Sequence, residues 1–200
     1  MASYFNYQKL TQALNYLAHQ YSGNKVSRLK VMKLLWAADR YHIRKFGRLI
    51  GGDDYFAMPH GPVHSTGKRI ADEDLWLEEY LKYSRAFVRK DDYALKAISD
   101  VDNSKLSETD IEALDFAYHS FGDVDKYILR DLTHKYPEWA KHEPSLESGR
   151  SSCEPIDPVD FFLDPDPEEV ADDKFRMNSD LLADSKEIFE ESQTISRVLQ

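Results

Sequence analysis

Residues 27–47 read SRLKVMKLLWAADRYHIRKFG, and the fold turns on how this stretch is read. Ser27 can accept a hydrogen bond from the free amides of a helix start, and Gly47 supplies the left-handed residue of a C-terminal stop. Between them Leu29, Met32, Trp36, Asp39, Ile43 and Phe46 recur at steps of three and four, so the spacing predicts one helix with that stripe turned inward. One member of the stripe is an aspartate. A carboxylate among Trp36, Ile43 and Phe46 carries a large desolvation cost unless it is paired. Amides of the following loop, a tyrosine, His42 one turn away or Arg40 can each supply the partner. Lys30, Lys33, Arg40 and Arg44 are expected on the outward side, as a basic face.

Working outward, Tyr7, Leu10, Leu14, Leu17 and Tyr21 mark an amphipathic helix over about 3–21, ended by Ser22-Gly23-Asn24. After Gly47 the period breaks, and "RLIGGDDYFAM" reads as an extended passage or brief strand. Gly61-Pro62 reads as a cap followed by proline at the first helical position, opening a helix over about 62–82 with Gly67 and "DED" as points of interruption. Phe87-Val88 and Tyr93-Leu95 flank a hairpin turn. Ser107 with Asp110 forms a capping box for a helix up to Gly122, and "VDKYILRDLTHKY" gives a shorter helix ending before Pro137. Residues 141–155 have linker composition. Beyond them Asp157-Pro158 starts a short helix with Phe161 and Phe162, and Ser179 caps a last one carrying Leu181, Leu182, Ile188, Phe189, Ile195 and Leu199. The expected architecture is mainly α. A compact helical domain with a small β-hairpin or short strands spans 1–140, a linker 141–155, and an acidic helical extension 156–200.

At 200 residues and 42% hydrophobic content, with twelve Tyr and ten Phe, the chain is long and apolar enough to bury a core. The single Cys153 excludes an intramolecular disulfide and a cysteine-based zinc site, and it fits a reducing compartment. No charged-then-apolar leader opens the sequence, and its apolar runs fall far short of the roughly 20 residues of a membrane span, so a cytoplasmic, membrane-free protein is expected. The net charge of −10 is not spread evenly: residues 1–140 hold 20 basic and 20 acidic side chains, residues 141–200 hold 6 and 16. A basic stretch at 25–48 beside an acidic tail argues against general nucleic-acid affinity and for self-contact or a charge-selected protein partner.

"MPHGPVH" at 58–64 sets His60 and His64 four apart around a Gly-Pro turn. With His42 and Asp39 they offer metal-ligand residue types, but in no spacing that predicts a site, and no cofactor is expected. His134 in "LTHKYPEW" is read as a helix-end histidine over Trp139. No GxSxG, phosphate-binding loop or GxGxxG pattern occurs. Three classes remain open: a binding module, an acid–base or metal-dependent enzyme on Asp39, His42, His60 and His64, and a DNA-binding repressor using the basic helix.

"KLLWAADRYHIRKFGRLIGGDDYFAMPHGPVHS" (33–65) resembles the signature of the Panacea domain, the SocA-like or GepA-like family. The matching positions are Lys33, Asp39, Gly47, Asp54, Tyr55, Gly61, Pro62 and Val63. "LSETDIEALDFAYHSFG" and "LRDLTHKYPEW" are similar to a second family block, here ending in Thr133, His134 and Trp139. The resemblance implies a mostly helical, non-enzymatic antitoxin of a bacterial or phage toxin–antitoxin pair that neutralises a cognate protein toxin by direct contact. A variant mode delivers the toxin to a cytoplasmic protease. The signature positions carry over as structural or partner-binding, with no catalytic role. Lys30, Arg40, Arg44, Phe161, Phe162, Ile188 and Phe189 are the further expected partner contacts, the last four on an acidic segment suited to a basic toxin surface.

Overall fold

The computed structural model describes residues 6–198. Leu199, expected on the last helix, lies outside them, as do the first residues of the expected helix at 3–21. Helix α1 (Tyr7–His19) is capped by the Asn6 side chain. A short strand β1 (Lys25–Ser27) leads into α2 (Arg28–Phe46), where Ser27 accepts from the Lys30 amide and Gly47 closes the helix at φ 68°. Both ends of the deciding helix lie where the sequence puts them, because caps are local chemistry.

The 62–82 expectation needs correction. Pro62 is not at a helix start. Residues Tyr55–Met58 (β2) and Gly61–His64 (β3) form a hairpin in which Met58 faces Gly61 and Ala57 faces Pro62. Gly61 sits at φ 93°, which only glycine adopts without strain. Pro62 is tolerated because β3 is an edge strand. The helix that follows, α3 (Ser65–Asp72), is capped by the His64 side chain. The "DED" sequence does interrupt it: Glu73 takes a left-handed conformation, and α4 (Glu78–Phe87) starts afresh.

Strands β4 (Val88–Asp91) and β5 (Ala94–Ala97) make the expected hairpin, and β1 joins it in the order β1-β5-β4. Helix α5 (Glu108–Phe121) carries the Ser107–Asp110 capping box, followed by α6 (Lys126–Thr133) and α7 (Pro137–Ala140). Residues 141–155, linker-like in composition, hold a short helix α8 (Glu143–Glu147) and enter strand β6 (Glu154–Ile156), which pairs with β2 in the sheet order β3-β2-β6. A 3-10 turn covers Pro158–Phe162, and α9 spans Ser179–Val198. Ser179 is its first residue rather than its cap: the Asn178 side chain accepts from the Asp180 amide. The fold is mainly α with short antiparallel strands. Among the described residues no helix is long and apolar enough to cross a membrane.

α2 is the axis of the molecule. It packs against α1, α5, α6, α9 and strand β3, and its buried residues run without interruption from Lys30 to Arg40. A helix buried on all sides has no outward face. One end of its surroundings is an aromatic cluster in which Phe175, fully buried, stacks on Phe121 and meets Trp36, Tyr136 and Phe116 at ring distances of 5.4–5.5 Å. Phe161, Phe162 and Phe189 are buried in the same core.

Replacing Phe175 by alanine removes a ring that packs against Trp36, Phe116, Phe121 and Tyr136. Phe175→Ala is expected to cost about 3–5 kcal/mol of unfolding free energy, read from a urea denaturation midpoint. An exposed-site control such as Tyr93→Ala, at 86% exposure, should change it by less than about 0.5 kcal/mol.

Candidate functional site

The expected basic face of α2 is not on the surface. Lys30, Lys33, Arg40 and Arg44 are all buried. Their charges are met by carbonyl oxygens and by carboxylates brought in from far along the chain. Lys30 Nζ donates to the carbonyls of Phe121 and Val124. Arg40 pairs with buried Glu138 at 2.6 Å and donates to the Leu163 carbonyl at 2.6 Å, lying 4.4 Å over the Tyr136 ring. The other Glu138 oxygen accepts from Trp36 Nε1. Arg44 donates to the carbonyls of Phe161, Leu163 and Phe175 and to Asp164. These two guanidinium groups therefore bind residues 161–175 of the same chain.

Asp39 is fully buried and has the partners that its position demands. Its Oδ1 accepts from the Ile50 amide at 2.6 Å and its Oδ2 from the Tyr55 hydroxyl at 2.7 Å. Burial pushes its carboxyl upward, while nearby His64 and the two hydrogen bonds pull the other way. His64 Nδ1 accepts from the Gly67 amide as the α3 cap, which leaves the proton on Nε2, 4.0 Å from Asp39. A contact of 4.0 Å is too long for a hydrogen bond, and His64 Nε2 has no partner within bonding distance. Asp53, 3.1 Å from His64 Nδ1, accepts from the Thr66 amide. The knot thus ties α2, the 48–54 loop, β2 and the start of α3 together.

The other histidines go elsewhere. His42 uses the Arg48 carbonyl and Thr109, and His60 is exposed at the hairpin turn. Asp39, His42, His60 and His64 do not converge. Among the described residues no group of three or more His, Cys, Asp or Glu side chains comes together as a metal-binding set.

A second knot gathers the remaining signature positions. Buried Lys33 donates to the Pro62 carbonyl at 2.8 Å, and Thr133 donates to the Arg130 carbonyl. A Cβ on Gly61 would come within 2.5 Å of Thr133 Oγ1 and 2.7 Å of Lys33 Nζ, so the positive φ and the close approach require glycine there. His134 stacks on Trp139 at 3.6 Å and 5°, and Trp139 Nε1 donates to the Met58 carbonyl. Burial lowers Lys33 well below the usual lysine range, and the charge of Arg130 adds to this. Asp54 is exposed, its carbonyl accepting from the Ser65 amide.

This second knot forms one wall of an open cavity of about 790 Å³. α2 contributes Arg28, Leu29, Met32 and Lys33, and the hairpin contributes Met58, Pro59, His60 and Val63. Lys68, Ala71 and Asp72 of α3, Tyr93 of the β4–β5 turn, and Lys126 and Tyr127 of α6 complete it. Of these, sequence reasoning had singled out only Lys33, His60 and Val63. The signal available was Tyr93 and Tyr127 at element ends, beside Asp92 and Lys126, where no core stripe needs an aromatic ring. Of the other expected partner contacts, Ile188 is exposed on α9, whereas Phe161, Phe162 and Phe189 are buried within the chain.

With this geometry in place, comparison with known proteins gives one result. The family described as "Antitoxin SocA-like, Panacea domain" matches residues 31–140, and the chain belongs to it. No curated protein and no solved structure matches. The matched span starts inside α2 and ends with α7, so it contains both knots and excludes the 161–175 segment that Arg40 and Arg44 hold.

Two measurements follow. Asp39→Ala strands the Tyr55 hydroxyl and the Ile50 amide in the interior, each costing about 1–3 kcal/mol, so a loss of roughly 2–6 kcal/mol is expected in urea unfolding. The second concerns pH. Burial pushes both His42 and His134 down to about 4 from 6.5, so between those values the unfolded chain binds the extra protons. Stability contributed by each is full above pH 6.5 and is lost as pH falls toward 4, by up to about 1.4 kcal/mol per pH unit per proton. His134→Phe keeps the stack on Trp139 and should flatten the decline between pH 6.5 and 5 relative to the unmodified protein; an unchanged slope would contradict it.

Proposed function

We propose that this protein is a cytoplasmic antitoxin that neutralises a cognate protein toxin by direct contact, without catalysing a reaction. The observation that carries this reading is the family match over 31–140. The geometry supports a binding role in a specific way. The polar signature residues are spent on internal bonds: Asp39 on Ile50 and Tyr55, Lys33 on Pro62, Trp139 on Met58. Such residues build a rigid scaffold, and recognition is left to the side chains around it. The acidic excess, all of it beyond residue 140, suits a partner with basic surface, while it opposes general attraction to nucleic acid.

Growth arrest gives the test. Genes adjacent to the one encoding this chain are expressed singly and together with it. One neighbour should arrest growth alone and permit growth in company, and its product should co-purify with this chain in a fixed ratio. Toxin abundance should stay constant during rescue, since contact alone suffices. Rescue accompanied by disappearance of the toxin would replace neutralisation by contact with delivery to a protease.

A further inference from the structure

The cavity bounded by α2, the β2–β3 hairpin, α3 and α6 has a chemistry that the internal bonds do not use up. Its lining carries three cationic side chains, Arg28, Lys68 and Lys126, against one carboxylate, Asp72, with buried Lys33 behind them spent on the Pro62 carbonyl. That carboxylate is shared: Arg28 pairs with one oxygen and Lys68 with the other at 2.5 Å. Lys126 makes no ion pair among the described residues and rests 5.0 Å from the Tyr127 ring. Asp125, its neighbour in sequence, spends Oδ1 on the amides of Tyr127 and Ile128. Arg28 Nε is buried with no hydrogen-bond partner, a donor in the wall that the fold leaves unspent. The floor between these charges is apolar, made by Leu29, Met32, Met58 and Val63. At the rim stand Tyr93 and Tyr127, 86% and 52% exposed, with Ile128 beside them at 64%. Exposed tyrosines beside cationic side chains around an apolar floor are the composition of a protein-binding centre, and rings such as Tyr93 and Tyr127 have no packing reason to stand in water.

We propose that this groove receives an acidic segment of the neutralised toxin, its carboxylates meeting Lys126, Lys68 and Arg28 while an apolar side chain fills the floor. The inference rests on the antitoxin reading and adds to it the face and the chemistry of recognition. Charge complementarity selects the occupant. The surplus of cations calls for carboxylates, and a floor of methionine and aliphatic side chains calls for an apolar anchor, which the sugar–phosphate backbone of a nucleic acid does not have. Lys33, buried beneath the floor and bonded to the Pro62 carbonyl, fixes the hairpin wall of the groove and leaves the recognition of carboxylates to Arg28, Lys68 and Lys126. The acidic excess of the chain itself lies beyond residue 140, largely on the segment gripped by Arg40 and Arg44 and on α9, and no carboxylate from that region lines the groove.

The experiment uses the full chain and the toxin identified by growth rescue. The double variant Lys126→Glu/Tyr127→Ala changes surface side chains only, and Tyr93→Ser changes one on an exposed turn, so the second keeps the test decisive if the first perturbs folding. Each is expected to weaken the complex about tenfold or more in Kd and to reduce rescue. Lys82→Glu, an equal charge reversal on the exposed side of α4, should leave both unchanged. Toxin mutants selected to restore rescue of the double variant should replace an aspartate or glutamate by lysine. Wild-type affinity in both groove variants would overturn the proposal while leaving the antitoxin reading intact. Binding of a single-stranded oligonucleotide through the same residues, more tightly than the toxin, would overturn it in favour of nucleic acid. If the unmodified chain rescues growth from no neighbouring product, the antitoxin reading falls and the groove assignment falls with it.

Discussion

A guanidinium group carried to zero exposure must find its hydrogen bonds inside the protein, and α2 carries two of them, Arg40 and Arg44, one turn apart. Everything around that helix follows from meeting the demand. Glu138 is buried to answer Arg40, and Trp36 shares the same carboxylate. The carbonyls of Phe161, Leu163 and Phe175 answer the rest, so the chain beyond residue 157 has to return across α2. Once there, it places Phe175 into the gap among Trp36, Tyr136 and Phe121, where apolar burial adds to the polar pairing. Arginine suits this role better than lysine, because its five donors can serve several carbonyls from one position.

The parts of this arrangement that were legible in the sequence are the ones governed by neighbours in the chain. Ser27, Gly47 and the Ser107–Asp110 box mark helix ends because a cap is made within four residues. Asp39 was legible in kind, since a carboxylate on an apolar stripe must be paired, and its partners are of the two types its position implied: a loop amide and a tyrosine. Pro62 misled because Gly-Pro is equally the chemistry of a hairpin edge, and only the pairing with Ala57 decides between them. The charged residues of α2 misled for a different reason. Lys30, Arg40 and Arg44 look outward until their partners are known, and those partners lie 91–131 positions away. Phe175 drew no attention, standing between charged residues with no period to place it. The groove was visible only through separate residues, never as a shape.

The family match covers the two polar knots but stops before the segment that completes the burial of α2. Within the matched span the signature side chains hold elements in position: Lys33, Gly61 and Thr133 fix the hairpin against α6, and Asp39 and His64 fix it against α2 and α3. Residues constrained in this way suit a scaffold whose partner can change while its interior stays the same.

The small sheet β3-β2-β6 has proline in both outer strands, Pro62 in one and Pro155 in the other. With Met58 and Gly61 closing the two-residue turn, the alternation of an antiparallel ladder turns both positions outward, where an amide would otherwise face a newcomer. The outward carbonyl of Pro62 is already bonded to Lys33. Each border of this sheet therefore lacks a donor at its proline, which disfavours edge-to-edge pairing through this sheet. It also means that any partner meeting this sheet at either proline meets side chains there and not a free strand amide.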